Sequence, residues 1–181
     1  MNFANICIGL GVGYGFLQLY ALMQPDAFKA RLKSFPRATE IGWVLMIGAT
    51  AWFLYNVNQE NIADFAPYKK LMLFGFGALG VCSCIYLKDF LPVRGLAVLL
   101  LLLGKLVCDT GRWVESPLRL IVITWAYIWI CAGMWWTVSP WRARDWFAWN
   151  IADDARFRML TIARLILATS LIGLGASVFR G

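Results

Sequence analysis

The sequence predicts an all-α integral membrane protein, a bundle of about six transmembrane helices with short interfacial helices on the cytoplasmic side. Three observations lead there. Of the 181 residues, 61% are hydrophobic, well above the roughly half expected of a soluble domain. The apolar residues fall in runs of roughly 17 to 22, the length a helix needs to cross a bilayer core. The 17 Lys and Arg residues gather almost entirely between those runs, where positive charge sets orientation. Neither the weak alternation nor the many short turns of a membrane barrel are seen.

The first span covers 3–23. It lacks a positive region ahead of it and is too long for the apolar core of a signal peptide, so it is expected to stay as a helix. Within it, "GLGVGYG" (Gly9–Gly15) has the glycine spacing of a nucleotide loop, but such a loop needs a strand before it and an amphipathic helix after it. Gly9 with Gly13, and Gly11 with Gly15, read instead as two small-xxx-small pairs for close helix packing. "FGFGALG" (Phe74–Gly80), in the third span, is a plausible partner surface. After the first span, "QPDAFKARLKSFPR" (24–37) places Pro25 to open a helix and Pro36 to close it. Phe28, Leu32 and Phe35 make one apolar stripe and Lys29, Arg31 and Lys33 lie mainly off it, the pattern of a helix on a membrane surface.

Spans two and three cover 40–57 and 71–87. Span four, 92–110, carries Lys105 and Asp109 behind five consecutive leucines. Span five covers 118–138. It leads into "SPWRARDWFAWN" (139–150), where Ser139 suits a cap and Pro140 a first helical position. Trp141, Trp146, Phe147 and Trp149 there suit the headgroup region. Span six covers 159–179. The order span, proline, basic interfacial segment, arginine, span occurs in 3–57 and again in 118–179. It reads as a weak internal repeat or as convergence on ordinary membrane-loop chemistry, since little beyond the prolines matches. The chain, 1–181, is read as a single polytopic membrane domain.

Orientation follows from the loops. The first, third and fifth carry Lys29, Arg31, Lys33, Arg37, Lys88, Arg94, Arg142, Arg144, Arg156 and Arg158. The opposite side carries Lys69, Lys70, Arg112, Arg119 and Arg180. The basic majority belongs in the cytoplasm, which places both termini outside it.

Composition removes several chemistries. The net charge of +7 arises from these loops, and no nucleic-acid motif accompanies it, so nucleic acid is not an expected partner. The absence of histidine removes the commonest metal ligand and general base, together with Ser-His and Cys-His catalysis. Cys7, Cys82, Cys84, Cys108 and Cys131 all lie in apolar runs without a CxxC and read as small packing residues. No metal and no cofactor is expected.

Two groups of residues remain as candidate sites. Lys105, Asp109 and Arg112 fall at i, i+4 and i+7 on one stripe of span four, with Arg94 three turns earlier. As a functional feature this is an intramembrane polar site facing the bundle interior. The plainer reading pairs Lys105 with Asp109 and lets the lysine reach toward water at the helix end. Arg164 in span six is the other intramembrane charge, with the cytoplasmic interface as its outlet. Trp125, Trp129 and Trp136 share a face of span five, either lining an apolar ligand pocket or packing. The expectation is a non-enzymatic multi-pass protein of the cell membrane, an accessory, assembly or scaffold component. Its partners are the lipid bilayer and a membrane protein or a second copy. The alternative is a small-solute or lipid transporter using the polar edge of span four.

Overall fold

The computed structural model of the protein describes residues 2–61 and 63–179, so Arg180 and Gly181 lie outside the described residues. The protein is 88% helix, without strands among the described residues. Among the described residues eight α-helices follow in order: α1 Phe3–Met23, α2 Pro25–Ser34, α3 Thr39–Gln59, α4 Lys69–Tyr86, α5 Leu91–Gly111, α6 Arg119–Val138, α7 Pro140–Ile151 and α8 Asp154–Ser177. Short 3-10 segments at Phe35–Arg37 and Ala63–Tyr68 precede α3 and α4. The helices α1, α3, α4 with its leading 3-10 segment, α5, α6 and α8 are long and apolar enough to cross a membrane. Both 3–57 and 118–179 run long helix, short helix opened by proline, long helix.

Local chemistry explains the ends. Pro25 and Pro140 each stand first in a helix, where the missing N–H costs nothing. Helix α8 begins a turn earlier than its apolar run because Asp153 caps it. The Asp153 carboxylate accepts from the N–H groups of Ala155 and Arg156, both at 3.3 Å, and satisfies two donors that the helix start leaves open. Phe90 has a left-handed backbone, φ 57°, and its carbonyl accepts the Arg94 N–H at 3.1 Å to open α5.

The chain divides into two compact units. The first comprises Met1–Lys33, Leu103–Cys131 and Arg144–Gly181. Here α1 packs against α8 in the opposite direction: Gly175 faces Ala4, Cys7 and Ile8, whereas Gly15 faces Ala168. The approach is closest at Gly11, where an added methyl carbon would stand 2.7 Å from Ile172 Cγ1 and 2.8 Å from the Ala168 carbonyl oxygen. Phe3, Ile6 and Cys7 of α1 meet Val107, Val122, Trp125, Ala126 and Leu171 in the core. Helix α2 is held to the start of α8. Phe28 packs between Tyr20 and Phe157, with ring centroids 6.1 and 6.0 Å away, and Lys29 pairs with Asp154 while lying 5.0 Å over the Phe157 ring. Lys29 therefore turns to a protein carboxylate rather than outward, and Phe28 is occupied by protein contacts.

The second unit comprises Ser34–Leu102 and Ala132–Ala143. Helices α3 and α4 pack together, with Phe53 and Phe76 edge to face at 5.2 Å. The start of α5 crosses α3 where Gly95 meets the backbone of Leu45 and Met46.

Candidate functional site

Helix α5 resolves the question that its two charges raise. Lys105 Nζ donates to Asp109 Oδ2 at 2.7 Å, and the two side chains are 44% and 48% exposed. They stand on the side of the helix away from buried Ala97, Gly104 and Val107, although Leu102, one turn before Lys105 on their own stripe, is buried. A one-turn offset brings an ammonium and a carboxylate together on any helix, so the pairing needs nothing from the rest of the fold. Arg112 lies one residue beyond α5 and is exposed, and its carbonyl accepts from Arg119 Nη1 at 3.0 Å. Arg94 belongs to the other unit, and its Nε is buried without a hydrogen-bond partner among the described residues.

The glycine stripe of α1 divides in two. Gly11 and Gly15 are buried against α8, whereas Gly9 and Gly13 are exposed with open space at the methyl position. The helix that receives α1 is α8. The Phe74–Gly80 segment packs on α3 through Gly77 and Gly80, against Leu54 and Thr50. Of the three tryptophans, Trp125 and Trp129 lie together at 4.0 Å, and Trp125 also meets Tyr14 at 5.2 Å. Trp125 is part of the core of the first unit, and Trp136 belongs to the second. Trp129 is partly buried against the same core.

Arg164 has richer surroundings. Its Nη2 donates to Asn150 Oδ1 at 2.6 Å, and its guanidinium carbon stands 5.3 Å from the Trp146 ring centroid. Asn150 is 2% exposed. Its Nδ2 donates to the Trp146 carbonyl at 2.7 Å, which turns Oδ1 toward the arginine. Tyr14 of α1 lies within electrostatic reach of the same charge. Two further polar residues, Gln18 and Thr161, are buried in α1 and α8, and the Thr161 hydroxyl donates to the Phe157 carbonyl at 2.7 Å. The short helix α7 thus supplies two groups to a charge on α8 that is 14 residues away from Asn150.

No protein family, curated protein or solved structure matches this chain. The chemistry of its side chains is therefore the whole basis for a functional reading.

The sequence reading names Arg164 but misses Asn150 and assigns Trp146 only to the interfacial belt. A signal was present. Ala143, Phe147 and Asn150 fall at i, i+4 and i+7 and are the buried stripe of α7. A lone amide on a stripe that is otherwise apolar needs a hydrogen-bonding partner inside the fold.

Proposed function

We propose that this chain is a multi-pass protein of the cell membrane that acts as a non-catalytic accessory, assembly or scaffold component. In this reading it binds a membrane protein, or a second copy of itself, along the open edge of α5. The Lys105–Asp109 pair is the observation that supports it most directly. Both side chains are about half exposed in a helix apolar enough to cross a bilayer. Lys105 and Asp109 stand six and two residues before the end of α5, where a charge costs less than the about 2.5 to 3.5 kcal/mol of a span centre, and pairing offsets part of that cost. Polar groups from a neighbouring helix would offset the rest. Phe16, Val44 and Phe74, all largely exposed, suit lipid contact in the same reading. The transporter alternative needs the charges of span four on an inward face beside water, and their exposed placement favours the scaffold.

The test is purification in a mild detergent, with mass by light scattering and identification of co-purifying proteins. The expected result is a complex or an oligomer that the double variant Lys105→Met/Asp109→Asn reduces to the single chain. A wild-type chain that elutes alone, with the double variant indistinguishable from it, overturns the reading.

A further inference from the structure

Arg164 is a cation in an apolar helix with no acidic partner among the described residues. Among the described residues its contacts are Asn150 and the face of Trp146, and the ion pairs of the protein lie elsewhere. The guanidinium is nevertheless held firmly. Asn150 fixes one edge, and its own amide is fixed by the Trp146 carbonyl. The indole covers one face. Among the described residues the Nε and Nη1 groups have no hydrogen-bond partner, and neither is among the buried unpartnered side-chain atoms. With one Nη2 N–H on Asn150 and one face under Trp146, a second edge remains, formed by the other Nη2 N–H with Nε or Nη1, and such an edge matches two oxygens of a phosphate.

The surroundings indicate which phosphate. Trp146 is 43% exposed, and Trp141 and Trp149 are exposed on the same short helix. Tryptophans of this kind settle at the headgroup level. Arg156 lies 4.7 Å over Trp149 and adds positive charge beside them. We propose that Arg164, oriented by Asn150 and Trp146, binds the phosphate of an anionic phospholipid whose tails lie along α8. The proposal rests on the membrane reading above and adds a ligand to it. Dissolved phosphate offers the same oxygens without the tails, so the test separates the two sources.

The full chain, delipidated in a neutral detergent, is followed by thermal unfolding with dioctanoyl phosphatidylglycerol, dioctanoyl phosphatidylcholine or inorganic phosphate. Phosphatidylglycerol should raise the Tm, and the other two should leave it unchanged. Asn150→Asp places a carboxylate against the guanidinium but loses the bond to the Trp146 carbonyl, so it should abolish the response to phosphatidylglycerol, whatever its effect on the lipid-free Tm. Arg164→Lys keeps the charge and loses the fork, so it should bind about tenfold more weakly; it carries the test if Asn150→Asp fails to fold. Equal responses to both lipids, or an undiminished response in the variants, overturn the lipid assignment alone. A full response to phosphate alone reassigns the site to a dissolved anion and likewise overturns it. A chain that stays soluble without detergent overturns both this proposal and the membrane reading.

Discussion

A charged side chain inside an apolar helix can be satisfied by water, by a counter-ion or by a ligand. Lys105 takes the second course, and its partner is legible in the sequence because a four-residue spacing on a helix guarantees proximity. Asp109→Asn removes the carboxylate that accepts from Lys105 Nζ. The double variant Lys105→Met/Asp109→Asn removes both charges. The single variant is therefore expected to lose more stability than the double in thermal unfolding. Coupled pairs typically deviate from additivity by about 0.5 to 3 kcal/mol, and the exposure of this pair places it toward the lower end. Strictly additive losses would mean that the two side chains do not interact. Arg164 differs because its partner Asn150 comes from another helix. Spacing marks Asn150 as one of the buried stripe of α7 but not which helix that stripe meets, so the fork and its aromatic cover became visible only in three dimensions.

Helices were legible because apolar run length and proline position are local properties. The limits of α1 and α7 coincide closely with the sequence reading. The start of α8 was missed because Asp153 caps a polar turn that hydropathy alone does not count. Packing partners were less legible. Four glycines in alternation look equivalent in one dimension, yet only Gly11 and Gly15 face α8. Gly11→Ala should therefore cost about 1 to 3 kcal/mol, the usual penalty for overpacking, because part of what it meets is the backbone oxygen of Ala168. Gly13→Ala has open space and should be neutral or gain up to about 1 kcal/mol from helix propensity. Matched Tm measurements on the two variants check this. Equal losses at both positions would show that α1 is packed on both faces.

The reading of the whole molecule rests on apolar length and the placement of charge. Six helices able to cross a membrane are what the composition implied, because hydropathy sums over whole segments and tolerates errors at single residues. The division into two units was not legible, since it depends on contacts between segments far apart in the chain. Orientation remains a matter of charge count. The ten basic residues of the first, third and fifth loops lead us to propose that both termini lie outside the cytoplasm. Single-cysteine labelling at Asn2 and Gly181 in intact cells is expected to succeed with a membrane-impermeant reagent. Labelling of either position only after the membrane is permeabilised would count against that orientation.

The pairing of α1 with α8 also bears on biogenesis. Gly11 and the Ala168 carbonyl that it meets are separated by 157 residues. At ribosomal rates of about 5 to 20 residues per second, that distance corresponds to very roughly ten seconds of synthesis. Throughout that interval the first helix has been made while the surface that will cover Gly11 and Gly15 has not. A nascent chain in this condition exposes its closest-packing face to whatever else is nearby, and an insertion factor or chaperone that shields small-residue grooves would find its client there.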